Sequence, residues 1–178
     1  MLILQASHLI GNEPVLVMYG DCVYDSSIPA AKQLIDVFEK YGDSIIGLSQ
    51  VKKEDISKFG VAEGVKLDEK NLKIKNIIEK PSPDKAPSDL VVVGKYIITP
   101  GVFKTLSKMS QEKSGEIGLS HVFEIMLSNN RPVYGHILEG DWLDTGDKFN
   151  FVKATIHLGR KHPEIKDKLE QYLKSLKK

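Results

Sequence analysis

The sequence predicts an α/β fold, with a mixed, mostly parallel sheet flanked by helices. Three observations predict it. A short apolar run at residues 15–21, an amphipathic stretch at 27–42 and a second apolar run at 43–51 form a strand–helix–strand unit. Such a unit implies parallel strands joined by a right-handed crossover. Further short apolar runs then alternate with helical patterns to the end of the chain. Finally, 178 residues with 41% hydrophobic and 28% charged content read as an ordinary globular chain. We expect a single domain over residues 1–178, since that length buries roughly 70% of the unfolded surface and a second domain would be cramped.

The elements follow in order. "LILQASHLI" has helical spacing and stops at Gly11-Asn12. "VLVMYGD" is a short apolar run closed by Gly20 and Asp21, the pattern of a buried strand. "SIPAAKQLIDVFEKYG" is the clearest helix, with Ser27 as candidate cap, Pro29 near the first turn and Gly42 at the end. Ala31, Leu34, Ile35 and Phe38 fall on one face. "DSIIGLSQV" is the next strand. Residues 61–80 read as two strands around a tight Asp68–Asn71 turn, and "LVVVGKYIIT" as another strand. Helices are predicted from Pro100 and from about Leu119. Two strands flank a turn near Glu139–Asp141, and two helices close the chain.

Composition excludes several classes. The net charge of +1 argues against a dedicated nucleic-acid surface. The basic tail is broken by acids and apolar residues and reads as a solvated helix face. A single cysteine, Cys22, allows no disulfide within the chain. The apolar stretches are too short and interrupted to span a membrane, and no signal peptide is evident. A cytoplasmic protein is expected.

A few residues could carry chemistry. Asp21 follows the first strand, where open α/β sheets bind ligands. It could hold Mg²⁺ or serve only a turn or cap. Asp144, in "DWLDTG", could be a second metal ligand or the N-cap of the helix near Lys148. In "IIEKP", Glu79 can accept from sugar hydroxyls and Lys80 can reach a phosphate. Adjacent strand residues point to opposite faces, so both reach one ligand only if the chain bends here, which Pro81 favours. An exposed ion-pairing turn is the plainer alternative. Gly60 and Gly94 mark either a bulge, a close approach of backbone to ligand, or simple packing. No pair among the five histidines has the spacing of a helical metal site. Ser120 lacks a Ser-His-Asp context, so a hydrolase is unsupported.

In order along the chain, "YGD" (19–21), "FGV" (59–61), "IIEKP" (77–81), "APSDLVVVGKYIITP" (86–100), "GEIGLSHVFEIML" (115–127) and "WLDTGDKFNFVKA" (142–154) resemble the sugar nucleotidyltransferases. The resemblance is strongest to their bacterial uridylyltransferase branch and covers nearly the whole chain. It implies a partial Rossmann-like nucleotidyltransferase fold and uridylyl transfer from UTP to glucose 1-phosphate, giving UDP-glucose and pyrophosphate. It implies Mg²⁺ as cofactor, with Asp21 and Asp144 as its ligands. Glu79 would accept from glucose hydroxyls and Lys80 would contact the sugar phosphate. Gly60 and Gly94 would bring backbone near the sugar, and Glu116 would line the same pocket. Phosphoryl transfer needs positioning and charge neutralisation more than covalent chemistry from the protein.

The resemblance begins after the family's Gly-rich nucleotide loop. The expectation is therefore a C-terminal portion that supplies the sugar-phosphate and Mg²⁺ side, with little uridylyl transfer by itself. A homo-oligomer, or a partner chain supplying the N-terminal half, would fit. The alternatives are an inactive fragment, a sugar-phosphate-binding or dimerising module, or an enzyme of different base specificity. Cys22 and His121 stand where relatives often carry acids.

Overall fold

The computed structural model describes residues 2–112 and 118–176. In chain order the elements are α1 (Leu2–Gln5), α2 (Ser7–Ile10), β1 (Val15–Met18), β2 (Cys22–Asp25), α3 (Ala30–Tyr41), β3 (Ser44–Gln50), β4 (Gly60–Lys66) and β5 (Asn71–Glu79). Then come β6 (Leu90–Ile98), α4 (Pro100–Glu112), α5 (Leu119–Ser128), β7 (Val133–Ile137), β8 (Asp141–Asp144), α6 (Lys148–Lys161) and α7 (Lys166–Ser175). A 3₁₀ turn, Lys53–Lys58, precedes β4. The chain groups into two compact units, one of residues 1–18 and 28–139, the other of residues 19–27 and 140–178. Among the described residues no helix is long and apolar enough to cross a membrane.

The first unit is built on a sheet of order β1-β6-β3-β7-β5-β4, with a further contact between β6 and β4. The mixed α/β architecture is as expected, but the pairing is less parallel than the strand–helix–strand pattern suggests. β3 and β7 pair in parallel, whereas β6 runs antiparallel to both β1 and β3. The expected crossover does leave β1 and β3 pointing the same way, with β6 inserted between them. β1, β3, β4 and β7 share one direction; β5 and β6 run against it. β1 lies at the sheet edge and is half-buried, not buried, because it pairs on one side only.

Side-chain periodicity explains the packing. On α5, Leu119, Val122, Phe123 and Met126 recur at helical spacing and are buried. On α4, Val102, Phe103, Leu106 and Met109 do the same. Both helices add to a core that includes Ile46, Leu48, Ile74 and Ile77 from the sheet. Phe123 stacks on Tyr96 at 5.9 Å between ring centres.

α3 departs from its expected face and cap. Its buried residues are Ala30, Gln33, Leu34 and Val37, one position off the predicted stripe. Gln33 is buried because its amide donates to Ile28 O and Glu139 O and its oxygen accepts from the Glu139 N–H. Ser27 does not cap the helix; the N-cap position is Pro29. The helix does end at Gly42 in the left-handed conformation, φ 71°. The β4–β5 turn is as expected: Asp68 Oδ1 accepts from the Lys70 and Asn71 N–H groups.

The second unit pairs β2 antiparallel with β8, with Cys22 opposite Asp144 and Asp25 opposite Asp141. β2 has no clear sequence signal, since it is four residues of mixed polarity. β7 and β8 flank the predicted turn yet belong to different sheets, so they do not form a hairpin. Gly140, between them, takes φ 116°. A Cβ there would lie 2.4 Å from the Ser26 Cβ and 2.7 Å from the Asp25 carbonyl oxygen. α6 and α7 pack together, with Gly159 of α6 against Leu169.

Candidate functional site

The first unit gathers a polar cluster at one end of β5. Register places Gly60, the first residue of β4, opposite Glu79, the last of β5. Ser120, in the first turn of α5, donates to Glu79 Oε2 at 2.8 Å. A Cβ on Gly60 would lie 2.9 Å from Glu79 Oε2 and 3.2 Å from Ser120 Oγ. The missing side chain is therefore what makes room for the carboxylate. Ser120 thus holds one of the two carboxylate oxygens.

Lys80 shows how an acid and its neighbouring base escape the opposite faces of a strand. β5 ends at Glu79, and Lys80 takes φ 47°, a left-handed conformation that costs a non-glycine residue of order 1–2 kcal/mol. Its N–H donates to Phe59 O at 3.1 Å, and the buried Pro81 follows. The chain bends where the Pro signal predicted a bend. Both side chains are exposed.

Gly94 lies where β6 bulges against β3: the register passes from Ile46 opposite Tyr96 to Leu48 opposite Val92. Its φ of 63° is the left-handed conformation that glycine tolerates best. A bulge, one of the alternatives raised by the sequence, is present here. Glu116 lies outside the described residues.

The second unit contains Asp21 and Asp144. Asp144 ends β8, and its Oδ1 accepts from the Gly146 N–H at 3.0 Å. It is not the cap of α6. That role belongs to Asp147, whose carboxylate accepts from the Phe149 and Asn150 N–H groups. Asp21 precedes β2, and its carbonyl accepts from the Thr145 N–H and hydroxyl at 2.7 and 2.9 Å. This ties the Asp21 backbone to the loop after Asp144. A Cβ on Gly146 would sit 3.2 Å from Asp144 Oδ1 and 3.8 Å from Asp21 Oδ2, so both carboxylates open onto one small space. Two neighbouring carboxylates are a donor set of the kind Mg²⁺ takes.

Sequence spacing gives no hint of Ser120 as a partner of Glu79, because 41 residues separate them and only packing of α5 on β5 joins them. A second unforeseen group lies in the second unit. His157 Nε2 is 2.6 Å from Asp25 Oδ2 and 3.7 Å from Asp141 Oδ2, and Lys161 pairs with Asp25 as well. Lys161 and His157, in that order, hold the Asp25 carboxyl below its ordinary range. With Lys161 seated on it, this group reads as a tie between α6 and the β2–β8 pair.

Comparison with known proteins yields one family. The model of the nucleotidyl transferase family matches residues 2–161. A UTP–glucose-1-phosphate uridylyltransferase of Staphylococcus haemolyticus is 37% identical over 171 residues, covering 96% of this chain and 59% of that protein. The uridylyltransferase YngB of Bacillus subtilis is 34% identical over 98% of this chain and 58% of its own length. A solved UDP-glucose pyrophosphorylase complexed with UDP-glucose superposes with a TM-score of 0.82 at 32% identity, over 90% of this chain and 61% of that one. The chain thus spans about three fifths of the length of these relatives.

Proposed function

This chain belongs to the nucleotidyl transferase family, and we propose on that premise that it supplies the sugar-phosphate and metal side of a uridylyltransferase. The reaction joins the uridylyl group of UTP to glucose 1-phosphate and releases pyrophosphate. Relatives that carry this name at 34% and 37% identity support the reading, as does a structural neighbour solved with UDP-glucose. A cytoplasmic setting agrees with the single cysteine.

The observation that carries the proposal is the turn at Glu79-Lys80. Glu79 accepts from a glucose hydroxyl through the oxygen that Ser120 leaves open. Lys80 places a mobile positive charge on the phosphate of glucose 1-phosphate. The cost of a left-handed lysine before a proline is what a binding role would offset. Gly60 and Gly94 keep Cβ atoms away from the sugar. Asp21 and Asp144 hold Mg²⁺, which supplies charge neutralisation at phosphate oxygens when bound.

The test is calorimetry with glucose 1-phosphate, and separately UTP, in Mg²⁺, followed by an assay of pyrophosphate release. Glucose 1-phosphate should bind. Lys80→Ala should weaken it by about tenfold or more, since a hydrogen bond to a charged group contributes roughly 1.5–3 kcal/mol. Binding unchanged in Lys80→Ala and in Glu79→Gln would overturn the assignment. Sugar-phosphate binding without pyrophosphate release agrees with a chain that supplies only this side of the site, whereas release at ordinary enzyme rates would show that it also builds the nucleotide side.

A further inference from the structure

The first unit also carries a basic groove that the sugar-phosphate reading does not use. One cavity of about 810 Å³ is lined by Lys104 and Lys108 of α4 and by Arg131, which follows α5. A second, of about 420 Å³, is lined by Lys73 and Lys75 of β5 and again by Arg131. The two share Arg131 and bring together five cationic side chains. Among the described residues the lining contains no carboxylate. Asp43 lies within electrostatic reach of Arg131 but is not part of the lining.

The backbone makes room for this arrangement. A Cβ on Gly101, at the start of α4, would lie 2.3 Å from an Arg131 guanidinium nitrogen. Asn130, just before Arg131, takes a left-handed φ of 55°. Lys104 and Lys108 are one helical turn apart, with Gly101 on the same face. Lys73 and Lys75 alternate onto one face of β5. Met109, Ile125 and Met126 form an apolar floor in the larger cavity. Clustered like charges repel one another, and they raise the local concentration of anions. Cations around an apolar floor suit a ligand with both phosphates and an apolar body, and the volume is that of a small-molecule site.

The groove is separate from the Glu79 cluster. Ser120 lies in the first turn of α5, whereas Asn129, which lines the groove, caps its other end, roughly 13 Å away along the axis. On β5, Glu79 ends the strand, whereas Lys73 is its third residue and Lys75 its middle one. The two sites thus lie at opposite ends of α5 and on separate parts of β5.

We propose that this groove binds a small molecule carrying two or more phosphates, at a site distinct from the sugar-phosphate cluster. The probes are pyrophosphate and ADP, titrated by calorimetry without divalent metal, so that the Asp21–Asp144 pair cannot recruit them. Lys104 and Lys108 are exposed on a helix, and alanine is the best helix former, so Lys104→Ala/Lys108→Ala should fold. That double variant should weaken both probes by at least about tenfold, while Lys80→Ala should change them by less than about twofold. ADP binding tighter than pyrophosphate assigns a nucleoside diphosphate seated on the Met109–Met126 floor; equal affinities assign a bare polyphosphate. No binding of either probe by the wild-type chain overturns the proposal. So does unchanged binding in the double variant, or a loss caused by Lys80→Ala instead. Titrating glucose 1-phosphate into the same double variant keeps the two sites distinguishable, because its binding should be unaffected.

Discussion

At Gly60 a hydrogen atom where others carry a side chain determines the neighbouring chemistry. The Glu79 carboxylate occupies the space, and Ser120 holds it there. Gly60→Ala would press a methyl group to 2.9 Å from Glu79 Oε2. That atom ends a flexible side chain, so the carboxylate should swing away while the fold persists. We expect glucose 1-phosphate affinity to fall by about tenfold or more, with the melting temperature lowered by only a few degrees. Calorimetry and thermal denaturation on the same sample check both halves. Lys80 illustrates a different residue-scale lesson. Its left-handed φ could be anticipated as a bend from "EKP", but not as a specific angle.

The elements are stabilised by local devices that can be removed singly. Asp147 caps α6 with two N–H acceptances at 2.9 Å, and Asp147→Ala should cost about 1 kcal/mol, read as a lower melting temperature. β7 carries a pH-dependent device. His136 is buried, and its Nδ1–H donates to Asn71 Oδ1 across the β5–β7 pair, 2.8 Å away. Burial, with the charge of Lys70 adding, lowers its pKa below the ordinary 6.5. The unfolded chain then binds the proton more readily than the folded one. The stability from this group is fully present above pH 6.5 and is lost as pH falls through the lowered folded value. Melting temperatures should therefore drop as pH falls below the ordinary 6.5, and His136→Gln should flatten that slope. An unchanged slope in the variant would show that other groups dominate.

At the scale of the whole molecule, the large core belongs to the first unit, where α4 and α5 cover a sheet whose strands come from distant parts of the chain. Phe123 sits at its centre, 1% exposed and stacked on Tyr96. Phe123→Ala should cost roughly 3–5 kcal/mol, several times the loss from Asp147→Ala. Chemical denaturation midpoints at fixed slope would rank the two. A comparable loss from both would mean that the core is looser than its burial implies. The ordered motifs carry the resemblance to the family, and the match over residues 2–161 bears it out.

The sequence by itself determined most of the helices and strands, because apolar spacing, Gly42 and the Asp68–Asn71 turn act locally, but not β2, which has no apolar pattern, nor the division of the first helical stretch into α1 and α2. It also marked Asp21, Glu79, Lys80 and Asp144, since acids and a base at strand ends stand out in a linear reading. Only the tertiary structure decided the partners. β6 enters antiparallel between β1 and β3, a choice that depends on which edges are free rather than on any one segment. The buried face of α3 moves by one position because Gln33 meets Glu139, 106 residues away. Ser120 reaches Glu79, and Arg131 lines the same two cavities as four lysines, through packing that no spacing along the chain encodes. Hydrogen bonds and fields act over a few ångströms of space, and the fold alone sets which residues lie within them.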